Sequence, residues 1–315
     1  MSAIVASPLV AEAQRTGKLV RIEVLGIIAP EIHQTFEDGL SRLGYVKGRD
    51  VIIERRQPPD GTVERFAEAA SEVVGSKPDI IVVWGTVGTV AVKKTGTTLP
   101  VVFLSVGVPV EIGLVSSLSH PSGNMTGVTF EAGTETYAKR LQLLTQVVPR
   151  LSQVAVVYAA GDRNVDHAIR AIEAAALPLG IQVQRAAIRD AGDLERTFST
   201  IKSRGAQGIV VVAGVFTYTH GRKIAELALG NRLPSSHAFR ETAAAGGLLS
   251  LGPDFREIAN QGAGYVAKIL QGAKPGDLPV QQPTKFELVI NLKTAKALGL
   301  TIPQTVLLRA DQVVE

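Results

Sequence analysis

Along this chain, short runs of apolar, β-branched residues alternate with segments whose apolar positions recur every three or four residues. The run Val20–Leu25 predicts a strand, as do 51–53, 79–84 and 101–104. Between them, 32–43 and 63–74 carry helical spacing and stop at Gly44 and Gly75, where a glycine commonly ends a helix. The continuous apolarity of 79–84 belongs to a strand buried on both faces of a parallel sheet.

The same order of elements recurs about 130 residues later. Residues 154–157 match the first strand, 181–185 match 51–55, and 194–198 echo 63–66. The clearest pair is 208–214 against 79–85, and Arg232-Leu233-Pro234 then stands where Thr98-Leu99-Pro100 stood. Strand–helix–strand units with short loops force a parallel sheet covered by helices, and ligands of such sheets sit beyond the C-terminal strand ends. Two facing lobes of this kind put the site in the cleft between them.

Composition narrows the function classes. A chain of 315 residues with 45% hydrophobic and 20% charged residues has material for two cores and is not disordered. The net charge of +4 is scattered, with no basic run that suggests nucleic acid. The absence of cysteine excludes thiol catalysis and Cys-ligated metals, and it suits an export compartment. The short apolar stretch 3–10 followed by Ala11-Glu12-Ala13 reads as the tail of a secretory signal, so 1–17 is set aside from the fold. The five histidines have neither HxH nor HExxH spacing, and no GxSxG or phosphate-binding loop occurs. Neither an enzyme nor a metal or cofactor site is expected.

The expected ligand contacts are rim loops. In Gly85, Thr86 and Val87 a buried strand runs into a helix start, with Thr86 as the expected N-cap, and the free N–H groups there favour a carboxylate. Ser105, Gly107 and Val108 form the next rim, and Ala29 and Pro30 follow the first strand. In the second lobe the candidates are Gly161, Asp162, the aromatic Phe216, Arg240 as a fork for a solute carboxylate, and its neighbour Glu241.

Several longer segments carry a family resemblance over nearly the whole chain. They are 36–45, 121–128, 139–141 with 148–149, 245–250, and above all the tail from Gly272 to Asn291 continuing through 293–300 to Asp311. In these the chain resembles ABC-transporter substrate-binding proteins related to the tryptophan/tyrosine-type receptors. The resemblance implies an α/β chain of the type I periplasmic-binding fold. Its two doubly wound parallel-sheet lobes are joined by three hinge crossovers, near 126–130, 248–252 and 278–283. Lobe 1 would hold 18–125 and 252–280, and lobe 2 would hold 126–251 and 281–315. It implies a monomeric periplasmic receptor that closes on a small organic solute and serves an ABC permease in the inner membrane; the same lobes would also suit a ligand sensor with a signalling partner. Two departures from the family pattern stand out. Val108 replaces an Asp of a Gly-Asp-Pro motif, and Leu251 replaces a Tyr of a Ser-Tyr-Gly motif. Both make the cleft more apolar, and the expected solute is an aromatic or aliphatic carboxylate without an amino group, with an amino acid as the alternative.

Overall fold

The computed structural model describes residues 19–131, 133 and 135–315; the expected signal remnant at 1–17 lies outside them. The chain begins with β1 (Val20–Leu25), α1 (Pro30–Arg42), β2 (Val51–Arg56), α2 (Val63–Gly75), β3 (Ile80–Trp84), α3 (Thr86–Lys94), β4 (Val101–Val106) and β5 (Met125–Thr129). It continues with α4 (Glu135–Val147), β6 (Gln153–Ala159), α5 (Val165–Ala176), β7 (Gln182–Ile188), α6 (Leu194–Ser203), β8 (Gly208–Val211), α7 (Val215–Thr219), α8 (Gly221–Gly230), β9 (Ser235–His237), α9 (Arg240–Ala244) and β10 (Leu249–Pro253). The last part holds α10 (Phe255–Leu270), β11 (Phe286–Asn291), α11 (Leu292–Leu298), α12 (Gln304–Leu307) and β12 (Gln312–Val314).

These strands make two sheets, ordered β2-β1-β3-β4-β5 and β12-β11-β10-β9-β8-β6-β7. The first is parallel throughout, and in the second only β10 and β11 run antiparallel. The order β7-β6-β8-β9-β10 repeats β2-β1-β3-β4-β5 strand for strand, so the sequence repeat is a repeat of topology. In each half the order reverses beside the first strand, which opens a crevice at the C-terminal strand ends. Every residue of β3 and of β8 is buried, which explains why both strands read as unbroken apolar runs.

Helix α10 follows a strand of the second sheet but packs on the first lobe. Its Phe255, Ile258, Ala259, Ala263 and Val266 share one core with Ile32, Phe36 and Leu40 of α1. The expected boundaries at 125/126 and 251/252 fall inside β5 and β10. The chain stays in each sheet until its last ladder pair, as Thr129 pairs with Val106 and Pro253 with Phe286. On the way back, Val280 and Gln281 still bond to Leu118 and Gly127 of the first lobe before β11 begins. Among the described residues no helix is long and apolar enough to cross a membrane.

The second sheet contains a group that reports on folding. His237, at the end of β9, is 1% exposed, and burial alone pushes its imidazole down to about 3. It is therefore neutral when folded but takes up a proton below about pH 6.5 when unfolded. Stability is lost as pH falls from about 6.5 toward 3, at up to roughly 1.4 kcal/mol per pH unit. Unfolding free energies at pH 7 and pH 4 should fall more steeply for the native chain than for His237→Gln; equal slopes would contradict the assignment.

Candidate functional site

The C-terminal ends of β1, β3 and β4 face those of β6 and β8 across a cleft with about 460 Å³ of empty space, solvent at its mouth included. Its polar end is built by the first lobe. Gly85 has φ +85°, a conformation that glycine adopts without strain, and its backbone turns β3 directly into α3. The first α-helical hydrogen bond of α3 runs from Thr89 N to Gly85 O, at 3.2 Å. The N–H groups of Thr86, Val87 and Gly88 thus have no acceptor within the helix and carry its positive dipole end. Gly85, not the expected Thr86, is the N-cap. Thr86 Oγ1 instead accepts the N–H of Gly107 at 3.1 Å, which joins the β3 rim to the β4 rim and leaves the Thr86 hydroxyl proton for a ligand. Ser105 completes this end.

The opposite wall is aromatic. Trp84, Phe130, Tyr218, Phe239 and Phe255 all line the cavity. Tyr218 and Phe239 are 5.1 Å apart between ring centroids, Phe130 and Phe239 5.4 Å, Phe239 and Phe255 5.8 Å, and Trp84 and Phe255 6.0 Å. Such tilted and edge-on pairs leave flat apolar surface against which a planar group can stack. Burial raises the Tyr218 hydroxyl above its ordinary pKa, so it remains a donor. No Asp, Glu, Lys, Arg or His belongs to the lining among the described residues.

The lobes meet closely around this space. A methyl group added at Gly85 would lie 2.7 Å from Val215 Cγ2, and one added at Gly107 would lie 2.3 Å from Asn164 Oδ1. Val215 begins α7, and Asn164 caps α5, both in the second lobe.

Of the residues expected from sequence, Gly85, Thr86, Ser105 and Gly107 line the cavity. Val87, Gly161, Asp162 and Phe216 line a neighbouring space between the lobes instead. There the buried Asp162 carboxylate accepts the Asn164 N–H at 3.0 Å, and burial pushes its pKa up to about 6. Ala29 caps α1 against the core, and Pro30 is its exposed first residue. Val108 is buried outside the lining at φ +23°. Arg240 does not reach the cavity, because its guanidinium is held by Glu287 at 2.8 Å and Gln312 at 2.7 Å within its own lobe. Glu241 is half-buried beside it and also absent from the lining.

Neither Asn164 nor any of the five rings is among the ligand contacts expected from sequence. Two signals were available. Phe239 and Phe255 each lie just beyond a strand of the second sheet, and Asn164 stands in the same loop as Gly161.

Comparison with known proteins shows the family and the fold. A family model described as ABC transporter substrate binding protein matches residues 26–314. A tyrosine-binding protein of Clostridioides difficile is 23% identical over 265 residues, spanning 84% of this chain and 75% of that one. The crystal structure of a conserved domain protein from Vibrio cholerae superposes with a TM-score of 0.86 at 27% identity, covering 94% of this chain and 100% of the other. An ABC domain from Streptococcus pneumonia in complex with L-Trp also gives 0.86, at 24% identity and with the same coverage, and so shares the fold.

Proposed function

We propose, from the premise that the chain belongs to the ABC transporter substrate-binding protein family, which consists of binding proteins and not enzymes, that its solute is an aromatic carboxylate for which an ammonium group is not required. The observation that carries this reading is the pairing of two unlike walls. Free N–H groups at the start of α3 meet a negative charge, and a cluster of rings meets a flat apolar body. A buried ammonium without a carboxylate partner is strongly disfavoured, and among the described residues no acidic side chain belongs to the lining. Val108 lies outside the lining, so the apolar character argued from its replacement of Asp rests on the lining itself. The tyrosine-binding relative and the L-Trp complex support an aromatic carboxylate as the solute class.

In this role the protein works outside the cytoplasm and hands its solute to an ABC permease. Solute touching both lobes stabilises the closed form, and the permease reads closure. Trp84 is the chain's single tryptophan and stands in the cavity wall, so its emission reports occupancy. Titration with aromatic carboxylates, aliphatic carboxylates and amino acids should give a saturable change in emission for the first class, with calorimetry confirming one site. Binding confined to amino acids, with none by their deaminated analogues, would overturn the reading.

A further inference from the structure

The cavity wall holds a hydrogen-bond acceptor that none of the described residues satisfies. Asn164 is 3% exposed. Its Nδ2 donates to the Tyr137 hydroxyl at 2.7 Å and its backbone N–H to Asp162 at 3.0 Å, which fixes the amide and leaves Oδ1 as the free end. Among the described residues Oδ1 has no partner. It faces Gly107 across the cleft, beside Thr86 and Ser105. Trp84 Nε1, on a cavity-lining ring 2% exposed, likewise has no partner among the described residues. A buried polar atom without a partner is costly, and one in the wall of a ligand cleft can be matched by a bound solute.

The polar end therefore offers donors for a carboxylate, from the start of α3 and the Thr86 hydroxyl, together with one neutral acceptor close by. We propose that Asn164 Oδ1 selects a solute bearing a hydroxyl group next to its carboxylate, which makes the preferred solute class aromatic 2-hydroxy acids. This rests on the aromatic-carboxylate reading above and adds the hydroxyl. A neutral amide oxygen suits one O–H donor. An ammonium brings three donors and a full charge, and Asp162 lines the adjoining space, where one of its oxygens accepts the Asn164 backbone N–H.

The test uses three matched probes, 3-phenylpropanoate, 3-phenyllactate and phenylalanine, titrated against the full chain by calorimetry and Trp84 emission. Phenyllactate should bind about 10- to 100-fold tighter than either of the others. In Asn164→Leu the ratio of phenyllactate to phenylpropanoate affinity should fall to about one, whatever the change in overall affinity. Because that variant strands the Tyr137 hydroxyl, Asn164→Leu with Tyr137→Phe is measured alongside, with melting curves for both. Equal binding of phenylpropanoate and phenyllactate by the native chain overturns the hydroxyl assignment alone. Tighter binding of phenylalanine overturns it in favour of an ammonium. Failure of all three to bind overturns the aromatic-carboxylate reading together with it.

Discussion

Replacing Gly107 with alanine is expected to weaken solute binding by about 10- to 100-fold while the ligand-free protein stays folded. The added methyl would sit 2.3 Å from Asn164 Oδ1 and 2.5 Å from its Cγ, well inside van der Waals contact. Asn164 has little freedom to yield, since Tyr137 and Asp162 hold it from behind. Gly107 is not among the residues with positive φ, so alanine is tolerated by its own loop, and the atoms nearest the new methyl all belong to the opposite lobe. The clash arises only on closure. Overpacking of this size costs about 1–3 kcal/mol, and the whole of it is charged against the closed, ligand-holding form. Calorimetry gives the affinity and circular dichroism melting gives the fold. An unchanged affinity would mean that the two rims do not approach each other when solute binds.

The second large effect concerns the first crossover between the lobes. Arg140 of α4 is fully buried, and its guanidinium pairs with Glu131 at 2.8 Å and donates to Leu251 O of β10 at 2.8 Å. It also lies over the faces of Phe130 and Tyr137, at 5.7 and 5.3 Å from their centroids. Glu131 is itself buried, in the segment that leaves β5. One cation thus anchors the crossover, supports a ring of the ligand wall and satisfies a strand carbonyl. Arg140→Met leaves Glu131 buried without its partner, and breaking a buried pair in this way costs about 3–5 kcal/mol. At roughly 2–4 °C per kcal/mol for domains of this size, the melting temperature should fall by about 6–20 °C. Glu131→Gln with Arg140→Met should lose clearly less than the sum of the two single changes. Strict additivity would show that the two groups do not act as a pair.

The division into two matching lobes was legible because it rests on periodicity. Strands 80–84 and 208–211 are buried on both faces, so their composition had to be apolar throughout, and the helices between them had to show one apolar stripe. The rim glycines were legible for a related reason. A parallel sheet sets where its loops lie, and Gly85 and Gly107 are where the backbone must turn or let the other lobe approach. Side-chain direction was not legible. Arg240 looked available in sequence, yet Glu287, 47 positions away, turns it from the cleft. Phe239, its immediate neighbour, points into the cavity wall instead. Phe255 reaches the same wall because α10 returns to the first lobe straight after β10, a crossing that no local pattern announces. The strand pairing of β5 and β10 runs on to Thr129 and Pro253, because a ladder continues to its last partner whatever the local composition.

Small-angle scattering with and without saturating solute tests the interlobe clamp most directly. A smaller radius of gyration is expected for the native chain once solute is bound, with the same contraction for Gly107→Ala only at about 10- to 100-fold higher solute concentration. Saturable binding with an identical scattering curve in both states would contradict the clamp.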